Sequence, residues 1–99
     1  MILCMIFQLQ GVEFEWDEEI YAANLRKHGV KFEVVAEVFF DPFYQTGDAS
    51  VGEEKREYII GYSFSEKLFL VVFVERGKTT RIISARTVSP TERKLYEES

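Results

Sequence analysis

Cysteine and histidine each occur once in 99 residues, and proline only twice. A lone Cys4 closes no internal disulfide, and without a cysteine or histidine cluster there is neither a disulfide framework nor a structural zinc site. No metal or other cofactor is expected, and a reducing, cytoplasmic setting fits best. No Gly-rich phosphate loop, serine triad or paired-acid motif occurs, which sets those reactions aside. The apolar run from Met1 to Phe7 is too short to cross a bilayer, lacks a basic leader and runs into Gln8, Gln10 and acids. It reads as a strand or an extension, not a signal or membrane anchor.

What is present is apolar material for one core. Nine Phe and five Tyr within a 46% apolar composition suit a single domain over residues 1–99 and argue against disorder. The net charge is -5, yet residues 76–94 place Arg76, Lys78, Arg81, Arg86, Arg93 and Lys94 against Glu92 alone. This asymmetry points to a polyanionic partner.

Residues 2–9 and 12–15 read as extended segments around Gly11, with Val12, Phe14 and Trp16 alternating against Glu13 and Glu15. Asp17 stands as a helix N-cap before Glu18 and Glu19; Arg26, Lys27 and His28 fill the last turn before a capping Gly29. A second helix is expected over 31–40, where Phe32, Val35, Ala36, Phe39 and Phe40 recur at helical spacing until Asp41-Pro42. Residues 42–54 read as a loop. Strands follow over 56–63, 67–75 and 79–87, separated by short turns, and the doubly apolar middle one should be central. Ser89-Pro90-Thr91-Glu92 is a capping box opening a last helix. The expected architecture is α+β: a small antiparallel sheet of three to four strands with two N-terminal helices and one C-terminal helix.

FEWDEE at 14–19, NLRKHGV at 24–30, VFFDP at 38–42, REYIIGYS at 56–63, RIISAR at 81–86 and ERKLYEE at 92–98 occur in an order that resembles the BrnT family of small bacterial toxins. The resemblance spans residues 13–98 and leaves 1–11 as an extension. It implies a type II toxin with a RelE-like architecture, metal-independent RNA cleavage that inhibits translation, and neutralisation by a BrnA-type antitoxin. Ile20 stands where the family usually has a lysine, which leaves open a degenerate toxin that keeps the fold and loses toxicity.

Metal-free RNA cleavage needs a base for the ribose 2′-hydroxyl proton, an acid for the leaving 5′-oxygen, and cations for the transition-state phosphate. His28 is the one side chain whose ordinary pKa lies near neutrality, and it matches the family's Lys-His-Gly-Val motif; it equally serves as a helix-end cap. Lys27 is a candidate for phosphate pairing or proton donation, or a solvated helix-end lysine. Glu57, beside Arg56, is a candidate base or a cross-strand partner. Arg86, near the end of the last strand, is the favoured phosphate-binding residue, assisted by Arg81 or Arg76; an ion pair to one of the seventeen acids is the rival role. The odd spacing of Arg81 and Arg86 puts them on opposite faces of a regular strand unless a bulge re-aims one. Tyr96 is a candidate base-stacking residue or proton donor, with core packing by its ring as the rival role.

Three readings compete: an endoribonuclease acting on RNA, with or without ribosomes, a non-catalytic module that docks an antitoxin or another acidic protein, and a degenerate toxin that keeps the fold and the antitoxin contact. The N-terminal extension, pairing edge to edge, would make a homodimer.

Overall fold

A computed structural model of the chain describes residues 3–98. Strands β1 (Cys4–Leu9) and β2 (Val12–Asp17) form a hairpin. Both loop residues have positive φ, 49° at Gln10 and 81° at Gly11, as a two-residue hairpin turn requires. The Asp17 carboxylate accepts from the Glu19 and Ile20 N–H groups at 2.7 and 3.0 Å and starts helix α1 (Glu18–His28). Gly29, at φ 68°, ends it and sends its N–H to the Leu25 carbonyl at 2.8 Å.

The segment expected to be one helix over 31–40 divides into α2 (Phe32–Val35) and a 3-10 turn over Ala36–Phe40. The tighter winding puts Val35 and Val38 on one side, and both are fully buried. Strand β3 (Gln45–Asp48) lies within the stretch expected to be loop. Strands β4 (Glu57–Tyr62), β5 (Leu68–Arg76) and β6 (Thr79–Thr87) follow, then helix α3 (Pro90–Glu97) behind the Ser89 capping box.

The sheet corrects the expected fold class. It has six strands in the order β1-β2-β6-β5-β4-β3, and it is mixed, because β2 runs parallel to β6 while every other neighbouring pair is antiparallel. The small antiparallel sheet led by two helices is therefore replaced by a larger one whose first two strands precede every helix. Two causes are physical. Phe14 and Trp16 are 0% and 2% exposed, a burial that β2 gains by docking beside β6 beneath the helices. At the far edge, β3 pairs with β4 although Gln45-Thr46-Gly47-Asp48 carries no apolar run. Gly47 is needed there because a Cβ would collide with the Tyr58 ring lying over it.

The sheet separates two apolar clusters. On one face Phe14, Trp16, Ile59, Phe69, Val71, Phe73, Ile82 and Ala85 pack with Val30, Phe32, Val35, Ala36 and Val38 from the helical segment. Buried Asn24 ties α1 to β6, donating to the Ala85 carbonyl at 2.8 Å and accepting from the Ala85 N–H at 3.1 Å. On the opposite face Ile60, Leu68 and Leu70 pack with Tyr58, Tyr62, Val72, Val88 and Tyr96.

A β-bulge alters the middle of β6. Val72 faces Ser84 and Phe73 faces Ile82, so Ile83 is the extra residue. Arg81 consequently faces Val74 and Arg86 faces Leu70, both on the side of the second cluster. The bulge thus cancels the odd spacing and puts the two arginines on one face.

Candidate functional site

The end of α1 is half of a cleft. Gly29 reverses the chain in a left-handed conformation, buried Val30 anchors the corner, and Lys31 precedes α2 with its carbonyl accepting from the Val34 and Val35 N–H groups at 3.1 Å. The turn between β4 and β5 supplies the other half. Ser63 is 4% exposed, its N–H donates to the Lys67 carbonyl at 2.9 Å, and its hydroxyl accepts from the Lys67 N–H at 3.2 Å. The space between them, about 340 Å³, is lined by His28, Lys31, Ser65, Lys67 and Thr87 around Val30, Val34 and Phe69. Every ionisable side chain on that lining is a base or a cation.

Of the residues singled out from sequence, only His28 lines this cleft. Lys27 is exposed beside it and does not line it. Glu57 opens β4 opposite Phe73, whereas the cleft holds Phe69, four residues back along β5, which is about 13 Å away. Glu57 sits instead with Lys55, Arg56 and Glu75 at the other end of the sheet.

Arg81 and Arg86 are on the far face and paired with carboxylates. Arg81 pairs with Glu15 at 2.5 Å. Arg86 grips Glu92 through two bonds of 2.7 Å, and that contact, opposed by burial, holds the Glu92 carboxyl down at about 2. The facing positions Val74 and Leu70 put the backbones of the two arginines about 13 Å apart along β6. Arg76 is exposed at the end of β5. The cations of residues 76–94 are thus spread over the end of β5, the turn after it, β6 and α3.

Tyr96 packs in the second cluster. Its hydroxyl donates to Asp41 Oδ2 at 2.7 Å, and its ring meets Tyr62 edge-on at 5.3 Å. Burial and the Asp41 bond push its pKa up, which opposes proton loss. Burial alone would raise the Asp41 carboxyl. N–H donors from Tyr62 and Phe43, both at 2.8 Å, together with Tyr96, hold it below the usual range.

Lys31, Ser65, Lys67 and Thr87 escaped the sequence reading. Residues 31 and 67 carry no shared motif, and only the seating of the α1–α2 corner against the β4–β5 turn joins them. The sole local signal is position, a lysine at each sharp reversal of the chain.

The first two helices against one face of a mixed sheet and the last against the other, with an acid-free cationic cleft around the single histidine at the α1–α2 corner, define a small protein of mixed helix and sheet. The family model described as the ribonuclease toxin BrnT of type II toxin–antitoxin systems matches residues 16–92, and the chain belongs to that family. The 1.1 Å crystal structure of the Brucella abortus ribonuclease toxin BrnT is similar, with a TM-score of 0.58 and 26% identity over 75% of this chain and 92% of that one. No curated protein sequence matches. Membership implies RNA as substrate class and an antitoxin protein as partner. Among the described residues no helix is long and apolar enough to cross a membrane, and no group of three or more His, Cys, Asp and Glu is placed to hold a metal ion.

Proposed function

We infer that the protein is a metal-independent endoribonuclease of the cytoplasm that inhibits translation until a cognate antitoxin covers it. The observation that carries this reading is the position of His28, at the end of a rigid helix and opening onto a cleft lined by cations and hydroxyls but no acid. In such a site the ribose 2′-oxygen attacks the adjacent phosphorus, the O2′–P bond forms and the P–O5′ bond breaks. His28 is the proton-transfer group for one of the two oxygens, and solvent serves the other. Nearby positive charge stabilises the extra charge on the phosphorus centre.

Ile20 does not weaken this reading. It lies eight residues before His28 on α1, about 12 Å along the axis, and is 39% exposed away from the cleft.

The test is pure protein incubated with RNA and excess chelator. Wild type should cut, and His28→Ala should lose about 10²- to 10⁴-fold in rate with an unchanged melting temperature. Lys27→Ala and Glu57→Gln should stay within a few-fold of wild type. Intact RNA with the wild-type protein would overturn the enzyme and leave a binding module.

A further inference from the structure

We propose that Lys31 and Lys67 form a two-sided clamp for an RNA phosphodiester in the His28 cleft, with the Ser65 and Thr87 hydroxyls as supporting donors. This rests on the ribonuclease reading and names the groups that hold its substrate, a task that sequence had given to Arg86, Arg81 and Arg76.

Charge segregation is the first argument. The chain has seventeen acids and twelve Lys and Arg, yet the cleft lining holds two lysines, one histidine and no acid. The acids nearest in sequence are engaged elsewhere. Glu33 accepts the Tyr21 hydroxyl, and Glu37 accepts the Phe64 N–H at 2.9 Å. Glu66 sits directly between Ser65 and Lys67, but its φ of 64° turns it towards Asp41, Tyr62 and Tyr96 instead.

Availability is the second. The ion pairs among the described residues join Arg56 to Glu54, Arg81 to Glu15 and Arg86 to Glu92. Neither Lys31 nor Lys67 is in one. Using Arg81 or Arg86 on a phosphate would first break a carboxylate pair, whereas the lysines have only water to shed.

Placement is the third. Lys31 follows a buried anchor and caps α2, and Lys67 is held by two backbone bonds to buried Ser63, so each charge projects from a fixed point. The free carbonyls at the end of α1 oppose an anion with roughly half a negative charge. Two lysine charges outweigh that. A volume of about 340 Å³ suits one nucleotide rather than a duplex.

The experiment measures binding apart from cutting. A single-stranded RNA with 2′-O-methyl groups throughout cannot supply the attacking hydroxyl, and its affinity for the full chain is followed by fluorescence anisotropy from 50 to 200 mM salt. Lys31→Gln and Lys67→Gln should each weaken binding about fivefold and lower the salt slope by about 0.7, the value for one lost single-strand phosphate contact. Lys67→Arg should restore both, and Lys78→Gln, at the β5–β6 turn, should change neither. Melting temperatures report whether each variant folds. Wild-type affinity and slope in both glutamine variants overturn the clamp, as does a wild-type protein that binds no RNA. The nuclease reading fails separately: clamp-dependent binding with unmodified RNA left intact sinks the enzyme and keeps the clamp.

Discussion

Arg86 and Glu92 lie face to face through two parallel bonds, Nη1 to Oε1 and Nη2 to Oε2, each 2.7 Å long. Glu92 also accepts the Ser89 N–H at 2.8 Å, so one carboxylate both caps α3 and fastens it to β6. The arginine favoured from sequence for a phosphate thus joins the last helix to β6 in this structure.

That pair has a pH signature. The folded Glu92 pKa of about 2 lies below its ordinary 4.5, so its stabilisation is full above the unfolded value and is lost as pH falls from about 4.5 to about 2. Because the Arg86 side chain is 40% exposed, solvent screening reduces the contribution to about 1 kcal/mol. In urea unfolding Glu92→Gln should trail wild type by about that much at pH 7, and the gap should close near pH 2. A gap constant with pH would show that the carboxylate charge is irrelevant.

Asn24 is the only buried residue of α1, and its amide satisfies both backbone groups of Ala85. Asn24→Ala leaves that N–H and carbonyl unpaired beneath the helix, at a cost of about 2–3 kcal/mol. Chemical denaturation should read this loss. A change under 0.5 kcal/mol would mean that water replaces the amide.

At Gly61 a Cβ would stand 3.0 Å from the Val38 carbonyl oxygen and 3.2 Å from Val38 Cβ. The 3-10 turn sits directly on β4, so Gly61→Ala must push two backbones apart and should cost about 1–3 kcal/mol. A melting temperature equal to wild type would show that the turn yields freely.

Removing residues 1–11 deletes β1, whose Phe7 ring lies 5.8 Å from that of Trp16. We expect about 2–4 kcal/mol of destabilisation from the uncovered aromatic surface, read by denaturant unfolding. The outer edge of β1, Cys-Met-Ile-Phe-Gln-Leu, carries no charge and no proline to block pairing. Light scattering should therefore find a dimer for the full chain and a monomer for the deletion. A monomer in both cases removes the dimer.

Local features of the fold were legible because they depend on neighbours in sequence. Asp17, Gly29 and the Ser89 box mark helix ends through bonds within a few residues, and the alternation around Phe14 and Trp16 marks a strand without any partner. The 3-10 winding after Val35 and the strand at Gln45–Asp48 were not legible, since the first answers to core packing and the second to the free edge of β4. The same limit governs the site. His28 stood out by its chemistry alone, while Lys31 and Lys67 look like any other surface lysines in the sequence.

The sequence by itself determined where the helices start and stop, which residues are apolar enough to be buried, and the family to which the motifs point. Tertiary structure decided that β2 runs parallel to β6, that a bulge at Ile83 turns Arg81 and Arg86 to one face, and that carboxylates hold both. It also brought together, around His28, two lysines thirty-six residues apart. The reason is that strand order, register and the meeting of distant turns are fixed by burial shared across the whole chain. No short stretch of residues carries that information.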